Sequence, residues 1–282
     1  MKPQFQHEVT TSFVMWLDYH LPNFTEAFSN KSGKYYYQDD PTLDSDYYAY
    51  ASPYKQWVYD SGITNTDIPT SISGSRGTLY TRESGVKFDF ENGRVLLPTA
   101  DFPTTGSFSG SFSVKDFNLY LTNETEEHLI IENKYEANSR FSQNESGIKP
   151  YDPVVPCIFI LSNEGKNTPF AFGGEDLTRM YYRLVVFAEN LYQLDGALSA
   201  LNDCHERCFN DVGYSVYPMN EYGDLKESGF SYSDAVKGNT DFICIDKVFT
   251  SKISKDVSRK NNPSLFLGFV DMELIKARFP RI

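Results

Sequence analysis

Three scarcities bound what this chain can be. Cysteine is the first: four in 282 residues are too few for a disulfide framework, and reduced thiols are the expectation for a chain folded in the cytoplasm. Long apolar runs are the second. None approaches the ~18 residues that cross a bilayer, and Met1-Lys-Pro-Gln-Phe-Gln-His7 lacks the apolar core of a signal peptide. No membrane partner is expected, and Asn23, Asn30, Asn123 and Asn144, although each opens a glycosylation triplet, read as polar loop residues. Positive charge is the third scarcity: 26 Lys and Arg face 38 Asp and Glu, a net charge of -12. Such a surface disfavours nucleic acid as a bound partner, because that affinity rests on cations that neutralise phosphates.

What is abundant is aromatic side chain, 16% of the sequence, with 20 Tyr and 22 Phe. Phenylalanine builds cores. Tyrosine in such number points to half-wet contact surfaces, since its ring buries area while its hydroxyl keeps a polar partner.

The patterning predicts an α+β fold, with a central, mostly antiparallel sheet flanked by two helices and carrying long tyrosine-rich loops. One domain over residues 1–282 is expected, its core a sheet-and-helix unit over 114–282. Val9, Phe13, Trp16, Leu17 and Leu21 recur at helical spacing, giving a core-packed helix over 8–21 that Pro22 should end. Residues 22–80 read as a loop-rich insertion, ordered by a partner or by their own tyrosine packing. Asn92-Gly93 between alternating runs predicts a type I′ hairpin over 86–97. Gly106-Ser-Phe-Ser-Gly-Ser-Phe-Ser113 suits an edge strand or extended arm.

Strands are expected around Phe117–Leu121 and Leu129–Lys134, and the apolar run Val154–Leu161 reads as a strand covered on both faces. The strand from Arg179 to Ala188 follows, with Met180, Tyr182, Leu184, Val186 and Ala188 on one face. Asn190, with Gln193 three positions on, caps a helix near 191–210 whose stripe includes His205 and Cys208. Two closing strands carry Ile243, Ile245 and Phe249, then Phe266, Val270, Met272 and Leu274.

Several constellations were weighed as chemistry. Glu132 and Lys134, with Asp116 upstream, have the shape of a Mg²⁺-dependent nuclease site; an exposed ion pair reads equally from the same residues. Cys204, His205 and Cys208 have a spacing that zinc permits, but their place on the helix stripe favours a packed histidine with buried cysteines. The four histidines lack a Gly-x-Ser-x-Gly partner motif, and Gly173-Gly174 leads into Glu-Asp, which repels phosphate. No catalytic residue, cofactor or metal is therefore assigned. The glycine pair reads as a tight turn that lets Phe170 and Phe172 dock. Aromatic faces beside carboxylates in the tyrosine-rich loops also suit a carbohydrate-binding module. The favoured role for Tyr35, Tyr36, Tyr37, Tyr47, Tyr48, Tyr50, Tyr54, Trp57, Tyr59, Phe170, Phe172, Tyr222 and Tyr232 is a protein interface.

Ser52-Pro-Tyr-Lys-Gln-Trp-Val-Tyr-Asp60, Phe88-Asp-Phe-Glu-Asn-Gly-Arg-Val95, Thr168-Pro-Phe-Ala-Phe-Gly-Gly-Glu-Asp-Leu-Thr-Arg179 and Ala188-Glu-Asn-Leu-Tyr-Gln-Leu-Asp195 carry a resemblance. They are similar to virion structural proteins of tailed bacteriophages, and the strand, loop, strand, helix order over 154–213 resembles the unit of tail terminators and neck proteins. The resemblance implies a non-enzymatic virion component in the neck or proximal tail. It implies a homo-oligomeric ring, typically six copies, whose partners are connector, tail tube or sheath proteins and whose lumen passes DNA as cargo.

Overall fold

The computed structural model describes residues 4–132, 135–137, 153–170, 173–253 and 265–279. The fold is α+β, with two large sheets, each over its own core.

Helix α1 (Phe5–Thr25) buries Val9, Phe13, Trp16, Leu17 and Leu21, as its spacing requires. Pro22 does not end it. A helix-interior proline forfeits one backbone bond, but here Leu21 and Pro22 are both buried, and the Thr25 hydroxyl donates to the Leu21 carbonyl at 2.5 Å, so the last turn survives.

Residues 22–80, expected to be a loop-rich insertion, instead carry four strands of a seven-stranded sheet that spans residues 28–115. Its strands are β1 (Phe28–Gln38), β2 (Tyr47–Ala51), β3 (Ser71–Ser73), β4 (Leu79–Thr81), β5 (Lys87–Asp89), β6 (Arg94–Pro98) and β7 (Phe108–Lys115), in the order β4-β3-β7-β1-β2-β6-β5. Every pairing is antiparallel. The Ser-Phe-Ser-Gly stretch is therefore not an edge: β7 lies between β3 and β1, pairing Phe28 with Lys115 through Tyr35 with Phe108. The hairpin forms with Phe88 opposite Val95, but Asp89 pairs with Arg94, so its loop has four residues and only Gly93 takes a positive φ.

The second sheet is six-stranded: β8 (Asn118–Thr122), β11 (Cys157–Pro169), β12 (Asp176–Ala188), β13 (Cys208–Asn210), β14 (Phe242–Lys252) and β15 (Phe266–Arg278), ordered β13-β14-β15-β12-β11-β8. A short parallel pair, β9 (Glu136–Ala137) and β10 (Val154–Val155), stands apart from it. All its neighbours run antiparallel except β11 and β8. Over 157–160, β11 is buried on both faces, Ile158 and Ile160 toward the helices and Cys157 and Phe159 toward a third cluster with Phe187 and Leu267. The expected inward face of β12, Met180 through Ala188, is buried as well. In β14 a register shift between Ile245 and Lys247 reverses the alternation, so Val248 packs inward and Phe249 is exposed.

Helix α2 (Leu191–Asn202) is capped as expected: Asn190 Oδ1 accepts the Gln193 N–H at 2.9 Å, and Gln193 Oε1 accepts the Glu189 N–H at 3.1 Å. It stops at Asn202, well before 210. The rest of the predicted stripe turns away, with Glu206 at φ 62, and becomes strand β13.

The two cores are stitched together by residues from both halves of the chain. Tyr217 and Phe230 pack against both clusters. The Gln56 side chain forms two 2.7 Å bonds with the Leu119 backbone, as though continuing a strand. Helix α3 (Tyr232–Ala235) begins where the Tyr232 N–H meets Asp60 Oδ2.

Candidate functional site

Most of the predicted interface aromatics are interior. Tyr35, Tyr50, Trp57 and Tyr59 are buried in the core of the seven-stranded sheet, where Trp57 stacks on Phe112 at 4.7 Å and Tyr50 meets Phe108 edge-on at 4.9 Å. Tyr232 is buried under α1, stacked on Tyr19. Of the two stabilisers proposed for this region, its own tyrosine packing accounts for these residues. Tyr36, Tyr47, Tyr48, Tyr54 and Tyr222 are half-buried, and Tyr47 and Tyr222 both face the Lys87 ammonium, at 4.3 and 3.2 Å. Tyr37 is exposed. Phe170 is 65% exposed and does not dock; Phe172 lies outside the described residues.

The metal and nuclease candidates also disperse. Cys208 is bonded to Cys244 across β13 and β14, which corrects the expectation of reduced thiols, and His205 is exposed rather than packed. Cys204 is buried, bonds the Ala200 carbonyl, and has its thiol pushed up to about 12, chiefly by burial. Among the described residues no three His, Cys, Asp or Glu side chains gather as metal ligands do. Glu132 ends a helical turn, His128–Glu132, rather than lying on a strand; Lys134 is outside the described residues; Asp116 accepts from Ser29 at 3.3 Å.

The space between the sheets is a crevice of about 380 Å³ lined by Asp18, Gln56, Tyr59, Glu91, Lys115 and Tyr217 among others. Its polar groups are engaged with one another. Lys115 Nζ lies 2.6 Å from Asp18, and the Tyr217 hydroxyl donates to Glu91 at 2.8 Å. Tyr59 is held well above the usual phenol range by burial first and by Asp18 second. Such a seam fixes the two sheets together.

A larger opening lies elsewhere, a groove of about 1180 Å³ along the β1–β7 ribbon. Ribbon residues Lys31, Ser32, Gly33, Lys34, Ser109, Gly110 and Ser111 line it, with Pro53 and Tyr54 and with the segment 66–71. Its origin is a double parting. After Ala51 the chain leaves β1, so residues 28–35 of β1 pair with β7 alone. On the far side, β3 meets β7 at only one residue pair, Ser73 and Ser109, before Asp67 returns to bond Ser113. A Cβ on Gly33 would meet nothing within 4 Å, whereas one on Gly110 would lie 2.6 Å from the buried Tyr35 hydroxyl, which has no hydrogen-bond partner. Neither Lys31 nor Lys34 lies within ion-pair distance of a carboxylate among the described residues; Lys31 reaches over the Tyr54 ring and is attracted at longer range by Asp116.

No protein-family model matches the chain, and no curated protein matches its sequence. The groove was missed by sequence reasoning because its lining is serine, glycine and lysine. The available signal was the Ser-Gly alternation of 106–113 opposite the glycine at position 33, small residues that leave a ribbon uncovered.

Proposed function

We propose that this chain is a non-enzymatic structural protein of a tailed-phage virion, forming a ring in the neck or tail-terminator region between head connector and tail. The phage assignment rests on the four resembling stretches. The physical observation that best supports an assembly role is the groove on the β1–β7 ribbon. At about 1180 Å³ it exceeds the ~300–1,000 Å³ of small-molecule pockets, and its open strand edge suits another polypeptide. Net charge supports the same reading. Six copies at -12 each would carry on the order of -70 charges, and an acidic lumen lets DNA pass without adhering.

Glu132 ends a helical turn instead of a strand, so the strand-borne pattern that motivated the nuclease alternative does not form, and the buried positions of Tyr35, Tyr50 and Trp57 leave few rings for a sugar platform. The test is co-assembly: purified chain mixed with the connector and tail-tube proteins of its own virus should join both in one complex of ring mass. Binding to neither, together with DNA cleavage lost in Glu132→Ala, would replace this reading with the nuclease.

A further inference from the structure

We infer that the groove receives the acidic β1–β2 turn, residues 39–46, of a second copy of this chain, so that copies join head to tail. The inference rests on the assembly role above and names the contact that would carry it.

Charge complementarity identifies the occupant. The chain has an excess of twelve negative charges, yet in the groove Lys34 has no ion pair among the described residues and Lys31 has only the longer-range attraction of Asp116. The turn at the end of β1 presents Asp39, Asp44 and Asp46, all exposed and without ion pairs among the described residues. Asp40 differs: it bonds Arg94 at 2.6 Å and so fastens the turn to the hairpin, holding its shape with the other three carboxylates outward. An unpaired strand edge flanked by lysines is also how proteins guard against pairing. What separates docking from guarding is the room above Gly33, which admits an incoming chain.

The turn follows directly on the strand whose Lys31–Lys34 stretch lines the groove, five residues from Lys34 to Asp39, or roughly 17 Å of extended chain. A molecule cannot fill its own groove across that distance. Donor and acceptor surfaces differ, so the contact is heterologous, and repeating it closes a ring or grows a filament depending on the rotation per step.

The experiment is mass photometry and light scattering on the full chain at low and high salt, with circular dichroism as the folding control. Wild type should form multimers at low salt that dissociate at high salt, because exposed charge contacts are screened. Lys31→Glu with Lys34→Glu should leave only monomer, as should Asp39→Lys with Asp44→Lys and Asp46→Lys. Mixing the two variants in equimolar amounts should regenerate multimers through the swapped charges. Gly33→Trp, which enters open space at an ordinary backbone conformation, should block assembly without unfolding. Multimers indifferent to all these changes would overturn the contact while leaving a ring standing. A wild type that stays monomeric at high concentration and low salt would overturn the contact, and co-assembly with neck proteins would then still decide the virion reading. Assembly that stops at a dimer would retain the contact and contradict the ring.

Discussion

Arg94 shows how much of this molecule hangs on single buried charges. Its guanidinium contacts Asp89 at 2.7 Å and Asp40 at 2.6 Å, and all three side chains are almost wholly enclosed. Replacing Arg94 by Met leaves two carboxylates in the interior without their cation, a change that costs about 3–5 kcal/mol when one partner of a buried pair is removed. Urea denaturation of Arg94→Met should show a loss of that order, and a loss below about 1 kcal/mol would contradict the role given to the pair. His20 and Asp60 set the pH response in opposite directions. Burial, and secondarily Arg207, lower the His20 pKa to about 4, so its contribution is full above its ordinary 6.5 and is lost as pH falls toward about 4. Burial raises Asp60 to about 6 against the N–H donors of Gly62 and Tyr232; its contribution is present below its ordinary 3.8 and is lost as pH rises through about 6. Between about pH 7 and about pH 5, His20→Gln should lose less stability than wild type and Asp60→Asn should lose more, each differing by about 1–2 kcal/mol. Parallel pH profiles for all three proteins would refute the assignment.

At the scale of elements, the hairpin at 87–98 was legible and its turn was not. Asn92-Gly93 announced a reversal, but a two-residue turn would have paired Glu91 with Arg94; the structure pairs Asp89 with Arg94 because Asp89 accepts the Asn92 N–H at 3.0 Å and takes Arg94 as its ion partner. Gly93 remains essential for two reasons: its φ is +62, and a Cβ there would overlap the Tyr54 carbonyl oxygen. Gly93→Ala should therefore destabilise by more than the ~1 kcal/mol of a helix glycine effect, about 3 kcal/mol or more once the backbone must move; thermal melts of the variant check this, and an unchanged midpoint would show the tip to be loosely held. The same contrast holds along the chain. Period-two and period-3.6 patterns located α1, β11, β12 and the start of α2, since these elements present apolar faces to the core between the helices. The strands of residues 28–81 escaped detection because their inward residues are tyrosines amid Ser, Asp and Gly, whose burial depends on partners far away in sequence, as Tyr35 on Phe112. Cys208 pairing with Cys244 was hidden likewise, because 36 residues and an early helix end separate the two.

Among the described residues, the protein is two large sheets joined by a polar seam, with a broad groove along the β1–β7 ribbon of the first. The Lys115–Asp18 ion pair and the hydrogen-bonded Gln56 hold the two sheets together across the crevice. No helix among the described residues is long and apolar enough to cross a membrane. The candidate groove was not legible: sequence placed a contact surface on the rings of residues 35–59, whereas the structure turns Tyr35, Tyr50, Trp57 and Tyr59 inward and lines the groove mostly with lysines, serines and glycines of neighbouring segments. The central claim is that the chain works by assembling, and its most direct test is the mass distribution of the purified full-length protein across a salt series. The account predicts closed multimers of one dominant mass at low salt, falling to monomer as salt rises. A single monomer peak at every salt concentration, with the protein folded and concentrated, would contradict it.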